Sequence, residues 1–272
     1  MPPYSHVIGL MSGTSLDGLD IAYCTFDSEE KSVSESFSFY DVRNIKWKYK
    51  ILKHNTITYP SELSERLASA MGMTAFELAL LDVDLGRFIG KAVKTFVTEL
   101  SMPVDLIASH GHTVFHRPEL GLTSQIGSGA TIAAITGIPT VCDFRTTDVA
   151  LGGQGAPLVP IGDELLFSEY DICLNLGGIS NLSFRKDNKR IAYDISPCNI
   201  VLNLLAQKVD KSYDADGEMA RSGHLCHTLL ERLNQLDYYQ IRTCKSLGRE
   251  WIDLNFLPLI ENCGLEIADC LR

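Results

Sequence analysis

Close to its N-terminus the chain reads Gly9-Leu10-Met11-Ser12-Gly13-Thr14-Ser15-Leu16-Asp17-Gly18. Apolar segments flank this stretch on both sides, so it predicts a tight turn between two strands. The glycines at positions 13 and 18 allow positive φ angles and a close approach of the backbone to a ligand. Backbone N–H groups and the hydroxyls of Thr14 and Ser15 favour a phosphate, and the Asp17 carboxylate suits Mg²⁺. A plain hairpin turn accounts for the same composition.

The same pattern occurs again over residues 172–184, where Gly177-Gly178 separates two apolar strands, and a third short strand follows at 191–194. Two glycine-turn hairpins in one chain predict a duplicated, two-lobed architecture that holds a nucleotide between its lobes. We place the first lobe at residues 1–160 and the second at residues 161–272.

Composition indicates a soluble enzyme without identifying one. The 272 residues, 45% hydrophobic and 21% charged, suffice for two modest cores. The sequence lacks a bilayer-spanning apolar run and the features of a signal peptide, which predicts a cytoplasmic location without a membrane partner. The net charge of −10 argues against nucleic acid as a partner. The eight cysteines lack C-x-x-C spacing and are expected to be reduced.

Helices are expected to alternate with strands. Residues 74–77 have the form of a capping box, and a helical period of apolar residues follows as far as Leu100. Residues 104–109 predict a buried strand that leads to His110-Gly111-His112-Thr113, at the end of a strand where ligands collect in α/β sheets. We expect partly helical structure over 47–70 and a helix over 158–169 that crosses into the second lobe.

Asp194 closes the short strand at 191–194. Ser196 and Pro197 follow it and read as the cap and first turn of a helix. A carboxylate in this position is expected to face the ligand, whereas the alternative is a carboxylate that serves only the start of the helix.

Three segments together resemble the anhydro-N-acetylmuramic acid kinase family of sugar kinases: residues 11–18, 152–158 and 175–182. The resemblance extends over nearly the whole chain, through residues 110–113, 125–127, 143–145, 213–217 and 245–250. It implies an α/β fold of the two-lobed, actin-like ATPase (ribonuclease H-like) type, with duplicated mixed sheets flanked by helices and a second lobe that is incomplete at the C-terminus.

The resemblance also implies a reaction. A kinase of this family uses ATP and Mg²⁺ to open 1,6-anhydro-N-acetylmuramic acid with water and to phosphorylate O6, giving N-acetylmuramic acid 6-phosphate in peptidoglycan recycling. Asp194 corresponds to the general base that activates the water. The coupling is reasonable because O6 is an ether oxygen, which becomes a competent nucleophile only as its bond to C1 breaks.

The implied binding residues form two sets. The nucleotide set comprises Ser12, Gly13, Thr14, Ser15, Asp17, Gly18, Gly177, Gly178 and Asn181, with Asp17 also as the metal ligand. The sugar set comprises His110, His112, Arg145, Asp148, Gly153, Gln154 and Asn199. Arg145 suits the planar lactyl carboxylate, and a structural salt bridge is its alternative. Asp148 is either the partner of Arg145 or a ligand of a sugar hydroxyl.

The chain departs from the family pattern at several positions. Ser196 and Cys198 stand where the family has glycine, and His112 stands where it usually has glutamine. The family continues beyond Arg272 with a glycine motif for adenosine, so we expect this chain to bind nucleotide weakly. The alternatives are therefore a non-catalytic sugar-binding pseudokinase or a kinase for another amino sugar. The family also suggests a homodimer.

Overall fold

The computed structural model describes residues 5–13, 18–28, 46–156, 158–187 and 189–272. The chain divides into two compact units, residues 1–168 and residues 169–272. We refer to them as unit 1 and unit 2 and describe each by itself.

The strands described in unit 1 are β1 (His6–Ser12), β2 (Leu19–Ser28), β3 (Trp47–Ile57), β4 (Leu106–Ser109), β5 (His112–Arg117), β6 (Leu122–Ile126) and β7 (Thr140–Cys142). Five of them form a sheet in the order β3-β2-β1-β4-β7. Its first three strands are antiparallel, whereas β4 and β7 run parallel to β1. A separate antiparallel hairpin pairs β5 with β6. The mixed sheet predicted for the first lobe is therefore present.

The helices described in unit 1 are α1 (Ser61–Ala68), α2 (Ala75–Val97), α3 (Gly129–Thr136), α4 (Thr146–Ala150) and α5 (Val159–Leu166). The predicted capping box is confirmed, because Thr74 Oγ1 accepts from the backbone N–H of Glu77 and the Glu77 side chain accepts from the backbone N–H of Thr74. One face of α2 packs against the sheet, and its Leu81, Leu85 and Ile89 side chains are fully buried. This face contributes five buried side chains to the core of unit 1, which the strands and the other helices complete.

The expectation of helical structure over 47–70 is wrong for its first half. Residues Trp47–Ile57 are β3, which pairs along its length with β2. The lysines of this segment suit a strand at the edge of a sheet, where charged side chains face solvent. Its one neighbouring strand in the described sheet is β2, which lies outside residues 47–70. The helical part begins only after Pro60, as α1.

The helix predicted over 158–169 is present as α5, but it lies within unit 1. It packs against β3, and Phe167 just after it contacts the edge of the Tyr49 ring on β3 with a centroid separation of 5.8 Å. The division between the units therefore falls at residues 168 and 169, later than the division at 160 and 161 that we expected.

Unit 2 contains the antiparallel strands β8 (Ile172–Leu176), β9 (Ile179–Lys186) and β10 (Lys189–Pro197), in the order β10-β9-β8. This arrangement repeats that of β1, β2 and β3 in unit 1. Each meander begins with a hairpin at a glycine-containing turn, as predicted: Ser12 pairs with Leu19 in the first and Leu176 with Ser180 in the second.

The helices described in unit 2 are α6 (Asn199–Gln207), α7 (Glu218–Ser222), α8 (His227–Asn234), α9 (Asp237–Gln240), α10 (Arg249–Trp251), α11 (Leu257–Glu261) and α12 (Ile267–Leu271). A π-helical segment, Ile252–Phe256, joins α10 to α11. Val201 and Leu205 of α6 pack with Ile252, Phe256 and Ile260 to form the core of this unit. Among the described residues of the chain, no helix has both the length and the apolar composition needed to cross a bilayer.

The predicted helix start at Ser196 and Pro197 is wrong. Both residues belong to β10, and α6 begins at Asn199 with Cys198 as its N-cap residue. The first helical N–H groups need no side-chain cap, because the carbonyls of Gly177 and Gly178 accept from the N–H groups of residues 198–200. These acceptors lie on the neighbouring hairpin, which a local sequence pattern does not show.

Candidate active site

The hairpin between β1 and β2 requires glycine at position 18. Gly18 has a φ of +155°, and a Cβ built on it would lie 2.6 Å from the carbonyl oxygen of Ile57. Gly13 is half-buried at the other side of the turn, directly after Ser12. Thr14, Ser15 and Asp17, which we predicted as phosphate and metal ligands, lie outside the described residues.

Ser12 belongs to a buried chain of hydrogen bonds. Its hydroxyl accepts from the phenol of Tyr59 at 2.7 Å and lies 3.3 Å from Nδ1 of His112. Burial, and secondarily the nearby His110, lowers the pKa of His112 to about 4. His112 is therefore neutral at pH 7, so its hydrogen bond with the Ser12 hydroxyl joins two uncharged groups.

His110 and Arg145 form a second polar pair in unit 1. The Arg145 Nε–H donates to Nε2 of His110 at 2.9 Å, and an Nη1–H of Arg145 donates to the carbonyl oxygen of Gly155. Burial is the main cause that lowers the pKa of His110; its contact with the carbonyl of Gly111 opposes this effect and the charge of Arg145 adds to it. Because Nε2 accepts, Nδ1 carries the proton and donates to Gly111 O at 2.9 Å.

Asp148 folds the loop of residues 152–155. Its Oδ2 accepts from the backbone N–H of Gly155 at 2.6 Å, and its own carbonyl accepts from the N–H of Gly153 at 2.8 Å. A Cβ on Gly153 would lie 2.2 Å from Oδ2 of Asp148, so a larger residue there would displace this carboxylate. Gln154 is exposed on this loop. The loop in turn offers the Gly155 carbonyl that holds Arg145.

The glycine turn of unit 2 lies against the start of α6. The carbonyls of Gly177 and Gly178 accept from this helix start, and Nδ2 of Asn199 donates to the carbonyl of Leu176 at 3.0 Å. Asn181 lies on β9, directly opposite Asp194 of β10. The nucleotide and sugar residues predicted in this unit are thus brought together around one hairpin.

Asp194 is a buried carboxylate, with 7% of the residue exposed. Its Oδ2 accepts from the backbone N–H of Leu247 at 2.8 Å. Its backbone is also held: the N–H donates to Lys245 O at 3.0 Å, and the carbonyl accepts from the Tyr238 phenol at 2.7 Å. Burial and then the charge of Asp194 raise the pKa of Tyr238, so this phenol remains a donor.

Ser196 lies one residue beyond a β-bulge that follows Asp194 on β10. Its hydroxyl is 3.0 Å from the phenolic oxygen of Tyr239, and its carbonyl accepts from Ser180 Oγ at 3.0 Å. A bulge re-aims the side chains beside it. The serine that replaces the family's glycine is therefore fixed in place by specific partners.

Sequence reasoning missed Tyr59, Tyr238 and Leu247. Each contacts a predicted site residue through a phenol or a backbone N–H group. Tyr59 and Tyr238 lie outside the segments that carry the family resemblance, whereas Leu247 lies within one of them, residues 245–250. A backbone N–H group is present at almost every residue, so nothing in the sequence signalled the contact that Leu247 makes. Among the described residues, no group of three or more His, Cys, Asp or Glu side chains is placed to hold a metal ion.

Comparison with known proteins identifies the family to which the chain is similar. A sequence model described as anhydro-N-acetylmuramic acid kinase matches residues 5–264. A protein of that name from Trichormus variabilis is 38% identical over 93% of this chain and 67% of its own length. One from Coxiella burnetii is 37% identical over 99% of this chain and 76% of its own. One from Synechococcus elongatus is 37% identical over 92% of this chain and 68% of its own length.

A solved structure, the ethanolamine utilization protein EutJ from Carboxydothermus hydrogenoformans, aligns with 82% of this chain and 62% of its own at 12% identity. The TM-score of this alignment is 0.33. The mixed α/β fold and the relatives above define the class of protein, which is a kinase. The chain belongs to the anhydro-N-acetylmuramic acid kinase family.

Proposed function

We propose that this protein is an ATP-dependent kinase that opens 1,6-anhydro-N-acetylmuramic acid with water and phosphorylates O6, giving N-acetylmuramic acid 6-phosphate for peptidoglycan recycling. Family membership supports the reaction. The observation that supports the mechanism is the buried Asp194 carboxylate, which accepts a hydrogen bond from the backbone N–H of Leu247. The family resemblance gives this residue the role of the base.

The reaction balances around one water molecule. Asp194 accepts a proton from water as the water oxygen forms a bond to C1 of the sugar. The bond between C1 and O6 breaks, and its electron pair makes O6 the nucleophile for the γ-phosphoryl group of ATP. ADP leaves. General base catalysis of this kind contributes about 10² to 10⁴-fold to the rate.

The anchoring of Asp194 suits this role. A base must meet its water in a defined geometry, and a misplacement of about 1 Å costs roughly a hundredfold in rate. Three contacts restrict Asp194: one on the carboxylate from Leu247 and two on the backbone, from Lys245 and Tyr238. The surrounding structure therefore fixes the carboxylate before substrate binds.

Unit 1 contributes the sugar residues of this proposal. Arg145 is oriented by His110 and by the Gly155 carbonyl, and its guanidinium would bind the lactyl carboxylate. His112 is neutral at pH 7, so it would offer the sugar a hydrogen bond rather than a charge. Asp148, Gly153 and Gln154 would shape the loop beside them. Asn199 of unit 2 completes the proposed sugar set.

The nucleotide residues remain those of the two hairpins: Ser12, Gly13, Thr14, Ser15, Gly18, Gly177, Gly178 and Asn181. Mg²⁺, bound with ATP, neutralises phosphate charge in phosphoryl transfer. Asp17 is the residue we propose for it. The ion would take phosphate oxygens as further ligands beside this carboxylate.

The proposal also covers the binding partners, the cellular location and the oligomeric state of the enzyme. Its substrates are small molecules, and the net charge of −10 argues against nucleic acid as a partner. A cytoplasmic location and a homodimer are part of the proposal through the family resemblance alone.

The test is ADP release with Mg-ATP, with and without 1,6-anhydro-N-acetylmuramic acid, for the wild type and Asp194→Asn. Asparagine retains an oxygen for the N–H of Leu247, so we expect a folded protein with sugar-dependent turnover at least a hundredfold lower. Asp187→Asn, in the exposed turn before β10, is the matched control and should retain wild-type turnover. Equal turnover in Asp194→Asn would refute the assignment of the base.

A further inference from the structure

One short segment of unit 2, residues 238–247, makes several contacts with Asp194. At its start the Tyr238 phenol donates to the carbonyl of Asp194 at 2.7 Å. Near its end the carbonyl of Lys245 accepts from the N–H of Asp194 at 3.0 Å, and the N–H of Leu247 donates to Oδ2 of Asp194 at 2.8 Å. The position of the carboxylate therefore depends on how this segment is itself held.

The segment has little regular structure of its own. It begins in α9, which has four residues, and residues 241–248 lie in neither a helix nor a strand. An isolated helix of one turn is unstable in water. Residues 241–244 are also exposed, so packing against the core does not hold the middle of the segment. Its geometry depends on contacts at its two ends.

The Lys245 side chain joins these two ends. Its Nζ donates to the carbonyl of Tyr238 at 2.8 Å and to the carbonyl of Ile241 at 3.3 Å, at the C-terminal end of α9. The same Nζ lies 4.3 Å from the centroid of the Tyr238 ring. A lysine in this position provides donors for carbonyl groups at a helix end and is attracted by the aromatic face. The ammonium group therefore closes residues 238–245 into a loop.

The two ends of this loop are anchored differently. The Tyr238 ring is buried and packs against Trp251, with 5.2 Å between the ring centroids, and Trp251 packs against the core of unit 2. Lys245 is half-buried, and its ammonium group ties it to Tyr238. Loss of the ammonium group should therefore loosen the end that leads to Leu247 and leave the Tyr238 end in place.

We propose that Lys245 is a positioning residue for the Asp194 base. Its ammonium group holds the loop closed, and the closed loop keeps the N–H of Leu247 directed at Oδ2 of the carboxylate. This hydrogen bond orients the carboxylate and stabilises its charged form, which is the form that accepts a proton from water. The inference rests on the proposed function, and the role it gives to Lys245 acts through the protein rather than on the substrate.

The test is steady-state ADP release by the wild type and Lys245→Met over a series of pH values. Methionine keeps an apolar side chain of similar length and removes the ammonium group. We expect kcat to fall about tenfold, with KM for the sugar and for ATP changed by less than about twofold, because a misplaced base costs rate rather than binding. The acid limb of the kcat profile should move to higher pH by about one unit, since a hydrogen bond to the carboxylate is weakened.

Lys245→Arg is the conservative variant. Its guanidinium keeps the positive charge and has donors for both carbonyls, so kcat should return to within about threefold of the wild type and the acid limb should return to its original pH. Losses equal to those of Lys245→Met would contradict the role of the positive charge.

Lys208→Met is the matched control. It removes the same charge from the same unit, at a side chain that is 45% exposed and pairs with Glu261 at 3.0 Å. We expect kcat, both KM values and the pH profile of this variant to equal those of the wild type. The same shift of the profile in Lys208→Met and Lys245→Met would assign the effect to net charge and would overturn the proposal.

Residue-resolved amide hydrogen exchange tests the same step without turnover. The N–H of Leu247 is held by Asp194 in a buried position, so its exchange should be slow in the wild type and in Lys208→Met. In Lys245→Met we expect this amide to exchange about tenfold faster through local opening. The amides of α6, in the core of the same unit, should exchange at wild-type rates.

The outcomes separate this inference from the proposed function. A lower kcat without a shift of the pH profile, or faster exchange in α6 as well, would show that Lys245 only stabilises the fold and would overturn the inference. Unchanged kcat and unchanged Leu247 exchange in Lys245→Met would also overturn it, whereas turnover that is lost in Asp194→Asn would leave the kinase assignment standing. If the wild type releases no sugar-dependent ADP, the proposed function fails and this inference fails with it.

Discussion

The phenol of Tyr59 donates a hydrogen bond of 2.7 Å to the hydroxyl of Ser12, 47 positions earlier in the chain. Both residues are buried. Ser12 ends β1 immediately before the glycine turn, and Tyr59 lies between β3 and α1. This contact therefore fixes the start of the proposed phosphate hairpin from a distant segment, and through Ser12 it reaches His112.

We expect Tyr59→Phe to lower the free energy of unfolding by about 1 kcal/mol, because a buried hydroxyl loses its donor. A loss of that size shifts the melting temperature of a domain this large by roughly 2–4 °C. If Ser12 binds phosphate, the variant also raises KM for ATP more than it lowers kcat. Tyr49→Phe, at an exposed ring on β3, is the matched control. Equal behaviour of the two variants would contradict the role of this contact.

His112 should make stability depend on pH. Its pKa is about 4 in the folded protein, against about 6.5 in an unfolded chain. A lowered histidine pKa means that the unfolded state binds the proton more readily, so its contribution is present above pH 6.5 and is lost as the pH falls towards 4. Between pH 7 and pH 5 the loss is roughly 2 kcal/mol.

The measurement is urea unfolding of the wild type and His112→Gln at pH 7, 6 and 5. Glutamine does not titrate, so the stability difference between the two proteins should change by the stated amount across this range. Parallel pH profiles would show that His112 does not carry the effect. The nearby His110, whose pKa is also lowered, titrates in both proteins and largely cancels in the comparison.

Gly153→Ala should disrupt the loop of residues 152–155, because the new methyl group would meet the Asp148 carboxylate at 2.2 Å. The loop also holds Arg145 through Gly155. We expect faster hydrogen exchange across the loop and a higher KM for the sugar. Gly162→Ala is the matched control, because no atom lies within 4 Å of its Cβ; in a helix it should be neutral or slightly stabilising. Unchanged exchange in Gly153→Ala would contradict the close packing of Asp148.

Ser196 and Tyr239 should be coupled. A double-mutant cycle of Ser196→Ala and Tyr239→Phe is expected to give an interaction energy of about 0.5–1.5 kcal/mol in unfolding experiments. Tyr239→Phe combined with Ser222→Ala, whose hydroxyl donates to Met219 O instead, should be additive. If the first cycle is also additive, the serine at this family glycine position is not held by Tyr239.

Much of the site could be anticipated from short stretches of sequence. The two glycine turns, the Thr74–Glu77 capping box and the strand leading to His110 depend on residues only a few positions apart, and the structure contains all of them. The segment 47–57 was misjudged because its pairing partner is β2 rather than a neighbour in sequence. Ser196 was misjudged as a cap because Gly177 and Gly178 already satisfy the helix start.

The sequence by itself determined the α/β pattern and the repeated glycine hairpins, because these follow from local backbone preferences and periodicity. The expectation that Asp194 ends a strand is wrong, because β10 continues past it to Pro197. Only the tertiary structure decided which groups form hydrogen bonds with the predicted site residues. Leu247 reaches Asp194 across 53 positions and Tyr59 reaches Ser12 across 47. Such contacts depend on the folded path of the chain, and hydrogen bonds between distant residues leave no periodic signal in sequence.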